Sequence, residues 1–173
     1  GVAGAISLDL KIGDIVLGKR LIQHDMDARP LMKQFEIPLL SKTYLESDAT
    51  HLATAQKAIE IVFENKRLHT IFTEEDLKAF SISEPRLFMG DIASGDQFFS
   101  SNEQKNNLNA QLPAVLCVEM EGAAVAQVCF EYDITCVVIR IISDEANENS
   151  VVDFNDFVSQ VASKFGVEII RNL

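Results

Sequence analysis

Two apolar segments in the second half of the chain end in side chains whose types could do chemistry. The first ends on Glu119 and Glu121, and the second ends on Arg140 and Asp144. In an open α/β sheet, side chains at the carboxyl ends of neighbouring strands converge on one crevice, where ligands bind. Because charge is costly to bury beside apolar runs, we expect these four residues to serve a ligand or a reaction.

The hydrophobic pattern predicts alternating strands and helices that would position these residues. Strands are predicted over 12–21, 86–93, 115–120 and 134–142, and helices over 47–67, 102–112 and 121–132, with Asp153 capping a last helix. The type of segment 77–82 stays open, and the small residues at 1–5 predict a βα turn. This alternation is typical of a three-layer αβα domain with a mixed, mostly parallel central sheet, and we expect residues 1–173 to form one domain.

The composition is that of a folded protein with an acidic surface. Of 173 residues, 47% are hydrophobic, and the formal net charge is −11. Nucleic-acid backbones and anionic membrane surfaces attract basic patches, so we expect neither as a partner. A small neutral or zwitterionic ligand fits this charge better, and the alternative that the acidity serves only solubility stays open.

The cysteines and histidines give no pattern typical of a disulfide, metal or cofactor site. Cys117, Cys129 and Cys136 lie in apolar sequence without a CxxC pair, which predicts reduced, buried thiols in a cytoplasmic protein. Three scattered histidines lack metal-ligand spacing, and the chain contains neither GxGxxG nor a GK[ST] after its first glycines. We therefore expect no metal and no cofactor. No apolar run reaches the length of a membrane span, and no signal-peptide pattern is visible.

Several motifs occur in a specific order over nearly the whole chain. They are GVAG at 1–4 with KIGDIV at 11–16, HD at 24–25, ASGDQF at 93–98, VEMEGA at 118–123 and RIISD at 140–144. Each is weak alone, but together they resemble the nucleoside phosphorylase/hydrolase family. Within that family, they resemble the bacterial 5′-methylthioadenosine/S-adenosylhomocysteine nucleosidases. The resemblance implies a sheet of the nucleoside phosphorylase type and hydrolysis of an N-glycosidic bond to adenine.

The resemblance also implies roles for the charged residues at the strand ends. Asp144 is then the general acid that protonates N7 of the leaving base, with Ser143 and Arg140 as its supports. This acid must stay protonated near neutral pH, and apolar neighbours would raise its pKa. Glu121, with Glu119 beside it, binds at the sugar, where a carboxylate stabilises the positive charge that develops on the ribose.

The remaining site residues follow from the same resemblance. Met120 lines the sugar, Phe98 stacks on the adenine, and the backbone of Phe99 reads the edge of the base. Val2 stands where relatives that use phosphate commonly carry Ser or Thr. A valine has no donor for a phosphate, which favours water as the attacking group.

Two implications concern parts of the family that lie beyond these motifs. The family's water-activating glutamate lies upstream of the motif at 1–4, and we expect that the family's N-terminal strands are missing from this sequence. The resemblance further implies a homodimer. Residues 26–40 would then lie near the 5′ substituent of the substrate and near the partner subunit.

Each assignment has a structural alternative. Glu119 and Glu121 could form a solvated strand end, and Arg140 with Asp144 could form a structural ion pair. Phe98, Phe99 and Met120 could be core residues. His24, next to Asp25, is more simply a satisfied structural histidine than a catalytic one.

Two functional alternatives also stay open. A purine nucleoside phosphorylase of the same fold would use phosphate in place of water. A non-catalytic relative would bind or store a nucleoside, although loss of Asp144 or Glu121 would be expected in such a protein and both are present.

Overall fold

Six strands form one mixed sheet, and the helices pack around it. The computed structural model describes residues 1–64, 68–147 and 154–173. The strands are β1 (Val2–Ala5), β2 (Ile15–Gln23), β3 (Leu45–Glu46), β4 (Leu87–Ser94), β5 (Val115–Glu119) and β6 (Ile139–Asp144). The helices are α1 (Ala49–Phe63), α2 (Leu68–Ile71), α3 (Glu74–Ala79), α4 (Asn102–Gln111), α5 (Gly122–Glu131), α6 (Phe154–Phe157) and α7 (Ser163–Arg171), with a π-helical segment (Val158–Ala162) between the last two.

The sheet closes on itself. Its order is β3-β2-β4-β5-β1-β6, and β6 returns to pair with β2. Strands β2, β4 and β5 run parallel to one another, whereas β1 and β6 form a parallel pair that runs in the opposite direction. The predicted α/β class with a mixed sheet is confirmed, and the closure of five strands into a ring is a feature that the sequence pattern did not reveal.

Strand β2 shows why helices cover both faces of the sheet. Ile15 and Leu17 pack into one core cluster with residues of α1 and α7, whereas Val16 packs into a second cluster with residues of α5. All three side chains are fully buried. Successive residues of a strand point to opposite faces, so an uninterrupted apolar run requires cover on both sides.

Some local predictions are wrong. Residues 1–5, predicted as a turn, contain β1, which pairs with β5 on one side and with β6 on the other. The strand predicted from residue 134 begins only at Ile139, and the chain leaves α5 through Asp133, which lies in the left-handed region (φ 55°). Cys117 is buried as predicted, but Cys129 and Cys136 are only half-buried.

Other predictions agree with the structure or fall outside it. Helix α1 begins at Ala49, two residues after its predicted start, and the Asp48 side chain caps it by accepting the backbone N–H of His51 at 2.9 Å. The undecided segment at 77–82 contains the end of α3. The predicted helix end at Arg67 and the predicted cap at Asp153 lie outside the described residues. Across the described ranges, every helix is too short or too polar to cross a membrane.

Candidate active site

A cavity of about 510 Å³, open to solvent, lies beside β1, the end of β5, the end of β6 and the segment that follows β4. Its lining includes eight of the nine residues predicted to act on a substrate: Val2, Phe98, Phe99, Glu119, Met120, Glu121, Ser143 and Asp144. Ala3, Gly4, Gln97 and Val118 line it as well. The ninth predicted residue, Arg140, bonds to Glu119. The two carboxyl groups of Asp144 and Glu121 therefore share one space.

The strand arrangement that brings these two carboxyl groups together differs from the predicted one. Strand β1 lies between β5 and β6, and its Gly4 pairs with Val118 on one side and with Asp144 on the other. Because β6 runs opposite to β5, the two strands do not end at a common edge. The predicted residues meet, but the predicted reason, convergence of neighbouring parallel strand ends, is wrong.

The Asp144 side chain is held in place by its surroundings. It is only 9% exposed, and the backbone N–H of Ala146 donates to its Oδ1 at 2.8 Å. The Ser143 hydroxyl donates to Oδ2, also at 2.8 Å. Ala146 adopts a left-handed backbone conformation (φ 51°) in the turn that follows the strand. Gly4 leaves the necessary room, because a Cβ at that position would lie 2.9 Å from Oδ1.

Glu121 has a much more open environment. It forms the N-cap position of α5, and its side chain is 71% exposed. Its Oε2 lies 3.8 Å from Nη2 of Arg140, too far for a hydrogen bond. Met120, which is 43% exposed, lies beside it in the cavity lining. The Glu121 carboxylate therefore keeps acceptor capacity for the hydroxyl groups of a ligand.

Glu119, two residues earlier, is occupied by donors from the protein. Arg140 donates to its Oε2 through Nε, at 2.8 Å, and through Nη2. The backbone N–H of Gly122 donates to its carboxylate at 2.9 Å, and the Ser94 hydroxyl donates to Oε1. The side chains of Glu119 and Arg140 are 2% and 13% exposed. This network fixes the turn from β5 into α5.

Arg140 consequently supports the Glu121 side of the cavity rather than Asp144. An ion pair of Arg140 with Asp144, the structural alternative from the sequence, is wrong, because Arg140 pairs with Glu119. The solvated strand end is also wrong for Glu119, which is buried, and it holds only for Glu121.

The aromatic side of the cavity is formed by the segment after β4. Phe98 is 45% exposed, whereas Phe99 is 7% exposed and packs in a core cluster with Leu108 of α4. Phe98 is thus accessible from the cavity, while Phe99 anchors the segment. Sequence reasoning gave no role to Gln97, although this lining residue stands inside the motif at 93–98. In the described part of the chain, no group of three or more His, Cys, Asp and Glu side chains is arranged to hold a metal ion.

The fold and the cavity define the chain as an α/β protein of the phosphorylase class. The model of the phosphorylase superfamily matches residues 1–173, and the chain belongs to that family.

Relatives with names and structures give a finer comparison. The 5′-methylthioadenosine/S-adenosylhomocysteine nucleosidase of Mycobacterium bovis is 34% identical over 100% of this chain and 68% of its own length. The aminodeoxyfutalosine nucleosidase of Helicobacter pylori is 36% identical over 94% of this chain and 61% of its own length. The crystal structure of the Neisseria meningitidis nucleosidase with methylthio-immucillin-A matches with a TM-score of 0.80 and 29% identity, covering 100% of this chain and 68% of that one. The chain thus spans about two thirds of the length of these relatives.

Proposed function

We propose that the protein is a nucleosidase that hydrolyses the N-glycosidic bond of 5′-methylthioadenosine and S-adenosylhomocysteine and releases adenine. One observation carries the proposal: Asp144, Glu121 and the exposed ring of Phe98 line one cavity. Cleavage between adenine and ribose needs an acid at the base, a carboxylate at the sugar and a stacking surface. Membership of the phosphorylase superfamily and relatives that carry this name support it.

In the proposed reaction, Asp144 protonates the base. Its proton moves to N7 while the bond between C1′ and N9 breaks, and the bonding electrons pass to the base, so adenine leaves as a neutral molecule. The fixed position of the carboxyl, between Ser143 and Ala146, supports this role because proton transfer requires a constant distance to N7.

Glu121 acts at the sugar in this proposal. Its carboxylate accepts hydrogen bonds from the ribose hydroxyls and lowers the energy of the oxocarbenium-like sugar as the base departs. Water then adds its oxygen to C1′ and loses one proton, and a proton taken up from solvent restores the acid form of Asp144. The side chain is 71% exposed and not hydrogen-bonded to Arg140, which leaves it free to bind a ligand.

Water, rather than phosphate, is the proposed attacking group. A phosphate site needs hydroxyl and guanidinium donors. At the cavity wall, Val2 offers no donor, and the Arg140 guanidinium is engaged by Glu119. These two observations favour the hydrolase over the phosphorylase alternative.

The test is adenine release by the full-length polypeptide. Methylthioadenosine, S-adenosylhomocysteine and aminodeoxyfutalosine are supplied in turn, the last because a relative of similar identity carries that name. Free adenine is measured by chromatography with and without phosphate. The proposal predicts release without phosphate and a ribose product with a free anomeric hydroxyl. Phosphate-dependent release would establish the phosphorylase, and binding without release would establish a non-catalytic relative.

We also propose that the protein forms a homodimer through an exposed apolar surface on and around α5. This apolar face comprises exposed residues of α5 and of the segment that follows it: Val125, Val128, Tyr132 and Ile134. Val125, Val128 and Tyr132 are spaced three and four residues apart, which places them on one side of the helix. Contiguous exposed apolar surface typically marks a protein contact.

The homodimer is tested by light scattering, which should give a molar mass twice that of one chain. Val128→Glu should lower the measured mass to that of one chain, and a monomeric native protein would refute the proposal.

A cytoplasmic location is proposed from the thiols. Cys117, Cys129 and Cys136 are free, as is usual in a reducing compartment. Alkylation in freshly lysed cells should modify all three after denaturation, whereas blocked thiols would contradict this location.

A further inference from the structure

The segment that carries Phe98 and Phe99 is held from outside the cavity by two residues at the end of β2. The backbone N–H of His24 donates to the Ser94 carbonyl at 2.9 Å. The Asp25 carboxylate accepts the backbone N–H of Asp96 at 2.7 Å. Neither His24 nor Asp25 lines the cavity.

The His24 side chain adds a packing contact to the same segment. Its ring meets that of Phe99 edge-to-face, with centroids 5.3 Å apart. The ring also covers Gly95, because a Cβ at Gly95 would lie 2.3 Å from Nε2 of His24 and 2.9 Å from Oδ2 of Asp25. Such close approach requires glycine at this position.

His24 Nε2 is buried without a hydrogen-bond partner. A buried polar atom that makes no hydrogen bond costs free energy. The contacts that the ring makes over Gly95 and against Phe99 have to offset that cost, so the ring and this segment hold each other in place.

We propose that His24 and Asp25 are positioning residues that hold the segment 95–99 in the geometry that binds the base of the substrate. This inference rests on the proposed function, because it assigns that segment to the base. Asp25 acts by accepting the Asp96 N–H, and His24 acts by packing on Gly95 and Phe99.

The pair should affect binding of the base more than the chemical step. Asp144 is placed by β6 and by the hydrogen bond from Ala146. Glu121 is placed by the turn from β5 into α5, where its backbone N–H donates to the Glu119 carboxylate. A contact to adenine that is equal in the ground state and the transition state changes KM and leaves kcat nearly unchanged.

The test compares Asp25→Ala with Asp25→Asn in the full-length protein. The alanine removes the acceptor of the Asp96 N–H, whereas the asparagine keeps an oxygen that can accept it. A matched control is Asp48→Ala, which removes a carboxylate that also accepts a backbone N–H and lies outside the cavity lining. Calorimetry gives the Kd for adenine, and steady-state kinetics give KM and kcat.

The inference predicts that Asp25→Ala raises the adenine Kd and the KM roughly tenfold, with kcat within about threefold of the native value. Asp25→Asn and Asp48→Ala should stay within about twofold of the native Kd. His24→Ala should raise both constants in the same direction as Asp25→Ala. An unchanged adenine Kd in Asp25→Ala, an equal rise in the control, or a fall in kcat as large as that in kcat/KM would overturn it.

This outcome is separate from that of the proposed function. Adenine binding is measured without turnover. Failure of the native protein to release adenine would therefore contradict the nucleosidase proposal. The positioning role of His24 and Asp25 would still be tested by comparing the adenine Kd of the variants.

Discussion

Glu119 and Glu121 are two residues apart at the end of β5, yet their environments are opposite. Glu119 is 2% exposed and accepts hydrogen bonds from Arg140, Ser94 and Gly122. Glu121 is 71% exposed, and its carboxylate stands 3.8 Å from the nearest guanidinium nitrogen. A carboxylate whose lone pairs are taken by protein donors supports the structure, whereas one with free lone pairs is available to a ligand.

Asp144 combines features of both. It is nearly as buried as Glu119, but its hydrogen bonds come from a serine hydroxyl and a backbone N–H instead of a cation. The cavity therefore has a supporting ion pair, Glu119 with Arg140, and, in the proposed mechanism, two reacting carboxyl groups, Asp144 and Glu121. Substitutions in the first set should cost stability, and substitutions in the second should cost catalysis.

The largest effect is expected at Asp144. Asp144→Asn keeps the shape of the side chain but cannot give up a proton, so kcat should fall by about 10² to 10⁴. The thermal midpoint should change little. Asp91→Asn is the matched control, because Asp91 is a buried carboxylate paired with Arg20, at 2.6 Å, outside the cavity. The control should lose stability and keep its kcat; near-normal turnover by Asp144→Asn would remove the acid from the mechanism.

The next largest effect is expected at Arg140 and is one of stability. Arg140→Met leaves the Glu119 carboxylate buried without its cation, which should lower the free energy of unfolding by about 3–5 kcal/mol. Urea unfolding measures this change. Arg171→Met, which breaks an ion pair with a far more exposed arginine, should cost less than about 1 kcal/mol. Equal losses in the two variants would show that the buried pair is not the support described above.

A smaller effect is expected at Glu121. Glu121→Gln removes the negative charge at the sugar, so kcat/KM should fall by about 10- to 100-fold. Because the side chain is largely solvated, the unfolding free energy should stay within about 0.5 kcal/mol of the native value. A large loss of stability with intact catalysis would reverse the comparison between Glu119 and Glu121.

The smallest effect concerns pH. Burial lowers the pKa of His24 below its ordinary value of 6.5, against the opposing charge of Asp25. The unfolded chain therefore binds this proton more readily than the folded one. The contribution of neutral His24 to stability is complete above pH 6.5 and declines as the pH falls below that value. Urea unfolding between pH 5 and 8 should show less acid sensitivity in His24→Asn than in the native protein; an identical slope would contradict this.

The sequence could predict the cavity residues but not the way they meet. Motif order placed Asp144 and Glu121 at strand ends, and local pattern located β2, β4, β5, α1, α4 and α5 closely. Strand β1 was missed because a run of small residues such as Val2–Ala5 carries no strand period of its own. Its strand conformation depends on pairing with β5 and β6, contacts that are distant in sequence.

The partner of Arg140 could not be read from the sequence for the same reason. Asp144 is the nearer carboxylate along the chain, but the closed sheet brings Glu119 to the guanidinium. Closure depends on the pairing of β6 with β2, whose strands are separated by most of the chain. The local sequence therefore identifies the charged side chains near the cavity. The pairing of strands that are distant in sequence decides which of these side chains form ion pairs.

The roles of Asp144 and Glu121 are tested most directly by a crystal structure of the full-length Asp144→Asn variant with intact methylthioadenosine. We expect the side chain at position 144 to lie about 2.7–3.2 Å from N7 of the base. We also expect the Glu121 carboxylate to lie about 2.5–3.0 Å from a ribose hydroxyl of the same molecule. A bound nucleoside that contacts one of these two side chains and not the other, or that lies in a different cavity, would contradict these roles.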